Sequence, residues 1–412
     1  IIDPSAPYMS RLMRLVQQTE EPIMPPRGKP LESGQLETLR EWIRLGAPRD
    51  TSSKVVLAKV SHEIPQEIYS AAAQLDGPPP MPEVALADVA NVPDHPVVAR
   101  AIAASPSAPL LAVGGRNQVV LYNLESNELL GALPFDEGSV YALTFSLNGQ
   151  LLLAAGGREG ESAAAVLWDV QRAERLGVYG SGWDTLLAAD ISPDHRMIAL
   201  GGPDRKVRVY ATATAEELYE CGQHTDWIYS VRFSPDGELL ATGDRAGNLL
   251  LWQAANGRPV EPLRGHNGAV HDLAYTPDSN LLVSAGGDGK VFVWDTWKYK
   301  QVRNFSPHAG AVFSVDISRD GQLLTSGEDG FTKRHDLNGA LQHTYDALGD
   351  WAYQTVFADS GHLVVSGSWA GNIALWTTAD PARIASLTTT PEPGTHHITI
   401  AQSEPPQQET SD

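Results

Sequence analysis

A turn recurs along this chain in step with a second marker, and together they restrict the fold more than any other feature. The turn is Ser105-Pro106-Ser107, Ser146-Leu147-Asn148-Gly149, Ser192-Pro193-Asp194, Ser234-Pro235-Asp236-Gly237, Thr276-Pro277-Asp278, Ser318-Arg319-Asp320-Gly321 and Ala358-Asp359-Ser360-Gly361, at intervals of 41, 46, 42, 42, 42 and 40. The second marker closes a strand: Tyr122, Trp168, Tyr210, Trp252, Trp294, His335 and Trp376, at intervals of 46, 42, 42, 42, 41 and 41. Both series share the jump to 46, which marks a four-residue insertion around Arg158 to Ala164 in one hairpin of the second repeat. Between the markers lie short apolar runs such as Val231-Arg232-Phe233, Leu239-Leu240-Ala241-Thr242 and Leu249-Leu250-Leu251-Trp252, split by Pro, Asp and Gly. Such runs read as strands joined by tight turns. Four antiparallel strands cannot bury both faces alone, but sheets stacked around an axis can.

A period of 40 to 45 residues closed by Trp-Asp is the signature of WD40 propellers. Trp168-Asp169 and Trp294-Asp295 are literal WD pairs and Gly265-His266 a literal GH, so residues 96–390 resemble that family. The resemblance implies an all-β, seven-bladed propeller. It also implies a buried hydrogen-bond tetrad in which Asp accepts from His, His contacts Ser or Thr, and Ser or Thr accepts from the indole N–H. In the fifth repeat the matching residues are His266, Ser284, Asp288 and Trp294. The fourth repeat keeps His224, Thr242 and Trp252 but has Ala246 where Asp is expected. The sixth keeps His308, Thr325 and Asp329 but has His335 for Trp, and the seventh keeps Ser366 and Trp376 but has Ala370. The departures are expected to make those blades less rigid. His224, His266 and His308, 42 residues apart, read as tetrad members and not as a metal array.

Two segments compete to close the ring: residues 83–89 before the first repeat and Arg383 to Thr388 after the last. A closure uniting the chain ends removes the free sheet edge, which favours Val84 to Val89 taking part. Residues 51–95 read as a linker, with Gly77-Pro78-Pro79-Pro80-Met81-Pro82 as a stiff spacer. Residues 391–412 read as a mostly flexible tail, with His397 to Ile400 as a short strand.

Residues 1–50 do not repeat. One helix is expected from near Ser5, carrying Tyr8, Met9, Leu12 and Met13, and a second from Ser33 to Gly46, carrying Leu36, Leu39, Trp42 and Ile43. Between them lies Met24-Pro25-Pro26. The combination resembles the C-terminal half of a small c-type cytochrome domain of the planctomycete type. The resemblance implies Met24 as an axial haem ligand, since a thioether on a loop between helices can reach iron. It departs from that family in lacking C-x-x-C-H, so the chain as written holds no haem c. Three readings remain: a truncated haem protein, a half-domain kept for docking, or an unrelated helical hairpin around a packed Met24.

Hydrophobic residues make up 42% of the chain and charged residues 19%, and no run of about 18 apolar residues is present, so no membrane-spanning helix is expected. Ile1-Ile2-Asp3-Pro4 lacks the features of a signal peptide, which suits either an untargeted chain or a processed or truncated one. The net charge is −20, and residues 1–54 carry 8 basic and 7 acidic groups, so the acidity lies beyond them. Such a surface repels nucleic acid and favours basic partners or cations, if it does more than confer solubility. The single cysteine, Cys221, permits no intrachain disulfide. Scarce cysteine suits an oxidising compartment, and with the resemblance of the first fifty residues to a c-type cytochrome it gives the expectation of a periplasmic or other extracytoplasmic setting.

No nucleophile elbow, P-loop, H-E-x-x-H or dinucleotide fingerprint is present, and Gly286-Gly287-Asp288-Gly289-Lys290 reads as a β-turn. Asp190, Asp272 and Asp316 are expected to face the central channel, as a cation site or as solvated wall carboxylates. The loop into each innermost strand places Val98, Ser139, Thr185, Trp227, Ala269, Ala311 and Trp351 equivalently, with Trp183 nearby and Trp369 on the same rim. Trp227, Trp351 and Trp369 are candidate partner-binding residues, because an exposed indole buries much area at little entropic cost; packing between blades is the other reading. The expected function is protein interaction within an extracytoplasmic, cytochrome-linked electron-transfer assembly. A general scaffold without a redox role is the alternative, and an enzyme with a channel site the least supported.

Overall fold

The computed structural model describes residues 80–89, 97–182, 184–380 and 382–391. The expected helices of residues 1–50, Met24, Trp183 and the strand at 397–400 lie outside them. Within them the chain is all-β, apart from a single 3-10 turn at Asp359–Gly361.

Strand follows strand in the order of the repeats. The first repeat supplies β1 (Ile102–Ala104), β2 (Leu110–Gly114), β3 (Arg116–Asn123) and the first half of β4 (Leu129–Phe145). The second supplies the rest of β4, then β5 (Leu151–Arg158), β6 (Ser162–Asp169) and β7 (Glu174–Gly182). The third holds β8 (Ala188–Ile191), β9 (Met197–Gly201), β10 (Val207–Ala211) and β11 (Glu217–Cys221). The fourth holds β12 (Ile228–Phe233), β13 (Leu239–Asp244) and β14 (Leu249–Gln253). The fifth holds β15 (Val270–Tyr275), β16 (Leu281–Gly286), β17 (Val291–Asp295) and β18 (Lys300–Phe305). The sixth holds β19 (Val312–Ile317), β20 (Leu323–Gly327), β21 (Thr332–His335) and β22 (Leu341–Tyr345). The seventh holds β23 (Ala352–Ala358), β24 (Leu363–Ser368), β25 (Asn372–Thr377) and β26 (Arg383–Thr388).

Consecutive strands of a repeat pair antiparallel in chain order. The innermost strand of each adjoins that of the next, and β23 adjoins β1, giving a β-propeller-like arrangement. The recurring turn explains the regular hairpins. In the fourth repeat the Ser234 hydroxyl donates to Asp236 at 2.5 Å and accepts from the Leu239 N–H at 2.9 Å. The same pair of bonds joins Ser192 to Asp194 and Met197, and Thr276 to Asp278 and Leu281. The side chain thus satisfies the backbone that the turn would otherwise leave unpaired. The insertion of the second repeat lengthens the β5–β6 hairpin, which stays paired out to Arg158 and Ser162.

Apolar clusters fill each interface between neighbouring sheets. One joins the first repeat to the last, with Leu111, Val113 and Val120 against Val365, Ile373 and Leu375. Trp168, Trp252, Trp294 and Trp376 are buried in such interfaces, and truncating a core Trp costs about 3–5 kcal/mol.

The ring closes differently from expectation. The fourth strand of the last repeat is β26, paired with β25 from Asn372–Thr388 to Trp376–Arg383. Residues 83–89 do not supply it. They lie along the outside of the first repeat, where Ala87 makes one bridge to Ala132 and accepts its N–H at 2.9 Å. A short hairpin from β25 to β26 costs far less loop entropy than recruiting a strand from the far end of the chain. The N-terminal segment acts instead as a strap. The Glu83 N–H donates to the Gln171 carbonyl of the second repeat at 2.8 Å, while Val89 is buried in the cluster shared by the first and last repeats. The fourth repeat has only three regular strands. Its outer position is taken by Pro259–Leu263, which touches β14 through isolated bridges, because Pro259 and Pro262 have no N–H to donate.

Candidate functional site

The polar interior comes first, because it decides which side chains are free to act. In the fifth repeat His266 Nδ1 lies 3.1 Å from Asp288, His266 Nε2 2.8 Å from the Ser284 hydroxyl, and the Trp294 indole donates to that hydroxyl at 2.9 Å. A neutral imidazole with its proton on Nδ1 satisfies every member: it donates to the carboxylate and accepts from Ser284, whose oxygen takes the indole N–H. His266 stays neutral because burial lowers its pKa more than Asp288 raises it.

The fourth repeat is complete as well, which corrects the expectation built on Ala246. Asp244, two residues earlier, lies 3.0 Å from His224 Nδ1 and accepts from the Asn248 N–H at 2.8 Å. His224 Nε2 is 2.7 Å from Thr242 Oγ1, which accepts the Trp252 indole at 2.8 Å. In the sixth repeat His308 links Asp329 at 2.7 Å and Thr325 at 2.9 Å, and His335 takes the place of the indole at 3.3 Å from Thr325. In the seventh, Ser366 donates to the Gln354 carbonyl, and the Trp376 indole N–H has no hydrogen-bond partner among the described residues. These histidines are consumed by structure.

The channel carboxylates are consumed too. Asp190 accepts from the Phe233 N–H at 2.7 Å, Asp272 from Val315 at 3.1 Å, and Asp316 from Phe357 at 2.7 Å. Each therefore fastens its own innermost strand to the backbone of the next repeat. Arg232 lies among them, 3.7 Å from Asp190, with its Nε donating to the Leu273 carbonyl at 3.1 Å. Burial opposes its charge, but Asp190, Asp272 and Asp316 outweigh that and hold it protonated. Burial pushes the Asp316 pKa up to about 6. Among the described residues no group of three or more His, Cys, Asp or Glu could hold a metal ion.

Large aromatic side chains stand exposed at the rim. Trp227, Trp351 and Trp369 are 42%, 40% and 47% exposed, large fractions for indoles. Trp351 and Trp369 meet edge to face at 5.6 Å, and the Trp369 N–H donates to the Trp351 carbonyl at 2.9 Å. Trp227 stands apart, with the Arg245 guanidinium 5.3 Å from its ring centre. Asp226 and Asp350 fix the two loops, each accepting the N–H of the tryptophan that follows.

Sequence reasoning missed the series two residues further along each loop: Arg100, Tyr141, Leu187, Tyr229, His271, Phe313 and Tyr353. All seven line one cavity at the mouth of the channel. Phe313 stacks on Tyr353 at 5.1 Å and meets His271 at 5.4 Å, and His271 stacks on Tyr229 at 5.8 Å. Phe313 also touches Trp351 and Tyr353 touches Trp369, so the mouth and the rim form one continuous aromatic surface. Burial, with Arg100 adding to it, lowers the His271 pKa to about 4. The repeat register contained the signal, since these positions keep step with the seven loop positions.

The family model described as WD domain, G-beta repeat matches residues 215–253, 257–295 and 299–336. Each match runs from the outer strand position of one sheet to the third strand of the next. The chain thus contains three WD40 repeats in this region, modules that mediate protein interactions. No curated protein matches the chain. Among the described residues no helix is long and apolar enough to cross a membrane.

Proposed function

We propose that the chain is a seven-bladed WD40 propeller that docks a partner protein on the face around the channel mouth, and that it binds rather than catalyses. The observation that carries this reading is the exposed cluster of Trp351 and Trp369, continuous with Phe313 and Tyr353. Half-exposed indoles with fixed backbones are the groups that contribute most to protein interfaces, since they bury large area while losing few rotamers. Asp190, Asp272 and Asp316, and the buried His224, His266 and His308, are already hydrogen-bonded, which leaves those groups to structure.

The test compares the wild-type chain with the Trp227→Ala, Trp351→Ala, Trp369→Ala triple variant, as bait in extract of the native source. Proteins kept by the wild type and lost by an equally folded variant support the reading. An identical retained set overturns it.

A haem-linked, extracytoplasmic form of this reading rests on Met24-Pro25-Pro26 and Trp42-Ile43. The residues present do not fit a covalently attached haem. There is no C-x-x-C-H, and the one cysteine, Cys221, is buried in β11 with its pKa pushed up to about 12 by burial. This form therefore needs an attachment motif from sequence outside this chain. A haem stain that survives denaturing electrophoresis of the native-source protein supports it. No stain in the product of the whole reading frame leaves the scaffold reading alone.

A further inference from the structure

At the channel mouth one side chain has an unspent charge. The Arg100 guanidinium lies 5.3 Å from the ring centre of Tyr141 and 5.7 Å from that of Tyr353. Among the described residues it has neither a carboxylate partner nor a hydrogen-bond acceptor. The hydroxyls of Tyr141, Tyr229 and Tyr353 likewise have no hydrogen-bond partner among the described residues. All four side chains are partly exposed and line the same cavity. His271, which shares that cavity, is held neutral by burial and by Arg100. Asp272, the acid of the cavity lining, is occupied by Ser314 at 2.9 Å and Val315 at 3.1 Å.

The mouth therefore offers an uncompensated guanidinium with hydroxyls that can donate beside it, while the carboxylate of its lining, Asp272, is already engaged. A guanidinium offers five N–H groups in a fork matched to a carboxylate, and tyrosine hydroxyls can donate beside it. A cationic group is disfavoured, because Arg100 already occupies the aromatic faces that would attract one. An extended polyanion is disfavoured by the net charge of −20. A single acidic side chain escapes that repulsion, since charges more than about 8 Å away are screened at physiological salt.

We propose that Arg100, with Tyr141, Tyr229 and Tyr353, receives an aspartate or glutamate side chain from a segment of the docked protein, whose apolar neighbours pack on Trp351 and Trp369. This rests on the docking face proposed above and adds to it the chemistry of the anchor.

The probe is a genetically encoded library of random twelve-residue peptides, selected on the full chain. The expected result is enrichment of peptides with an acidic residue near an aromatic or large aliphatic one. Arg100→Gln should weaken the selected peptides by about tenfold to a hundredfold, as expected for loss of a charge-assisted bidentate contact. Arg100→Lys should restore only part of that, because it keeps the charge and loses the fork. The same peptides with Asn or Gln for the acid should bind the wild type as weakly as the parents bind Arg100→Gln. Peptides that need Trp351 but show no acidic preference and ignore Arg100→Gln would overturn the anchor and leave the docking face standing. Failure to select any peptide sensitive to Trp351→Ala or Trp369→Ala would overturn both. An unchanged thermal midpoint in Arg100→Gln separates lost recognition from lost folding.

Discussion

Asp244 holds His224 at 3.0 Å from a position two residues before the one that the repeat register assigns to an acid. The turn between β13 and β14 folds back so that Asn248 bonds the same carboxylate through its backbone at 2.8 Å and its side chain at 2.7 Å. Burial works to raise the Asp244 pKa, yet the bonds from His224 and Asn248 outweigh it and leave the group below the usual carboxylate range. Asp244→Ala should destabilise the protein by about 3 kcal/mol, since it strands buried donors. Ala246→Asp, at an exposed site, should stay within about 0.5 kcal/mol of the wild type. Denaturant unfolding of the two variants decides; equal losses would refute the assignment of the acid to Asp244.

Asp316 carries the opposite sign. Its folded pKa, about 6, lies above the unfolded value of about 3.9, so between these values the folded state keeps a proton that the unfolded state has lost. Its contribution is therefore present below about pH 4 and fades as pH rises through about 6. Asp316→Asn should remove that component. The difference in thermal midpoint between variant and wild type should thus change steadily from pH 4 to 7, and a flat difference would count against a raised pKa.

His335 works against Asp316 over the same range. Burial, aided by His308 and Lys333, lowers its pKa to about 4, from an unfolded value of about 6.5. The stability tied to the neutral ring is present above about 6.5 and lost as pH falls through about 4, and it reaches roughly 3 kcal/mol at most. His335→Gln can still donate to Thr325 but does not titrate. Its acid-side loss of stability should be shallower than that of the wild type, measured by denaturant midpoints between pH 4 and 7.

Where the first and last repeats meet, the Tyr122 hydroxyl donates to the Thr388 carbonyl at 2.7 Å, and the Thr389 hydroxyl to the Val97 carbonyl at 2.7 Å. Tyr122→Phe should cost about 1 kcal/mol. Amide exchange should quicken in β26 before it does in β11, since only β26 loses a bond across the join. Uniform quickening across both strands would mean that the join opens only with the whole ring.

The hydrogen-bonded His266, Ser284, Asp288 and Trp294 were legible because all four sit on the repeat register. Asp244 was not, because a turn can carry a carboxylate to the same imidazole from a neighbouring position. The rim tryptophans were visible as bulky residues at loop positions. The ring around the channel mouth escaped notice because Arg100, Leu187 and His271 interrupt its aromatics, so that only geometry unites them. The choice between residues 83–89 and β26 was open in the sequence, since both are short β-prone runs; the nearness of Arg383 to β25 along the chain decides it. The carboxylates of Asp190, Asp272 and Asp316 were placed in the channel, but their use as fasteners between strands depends on backbone positions that no side-chain pattern reveals.

Every sheet takes its strands from one uninterrupted stretch of chain, and β4 runs through the first two repeats and joins them in one seven-stranded sheet. The ring thus has a seam but no exchanged strand, and the seam is fastened by side chains and by the strap of residues 80–89. A circularly permuted chain, opened between Phe305 and Val312 and joined across the old ends, would keep each hairpin with its own neighbours. The order of the sheets around the axis follows from local pairing and face-to-face packing, and the place where the polypeptide starts is incidental to it.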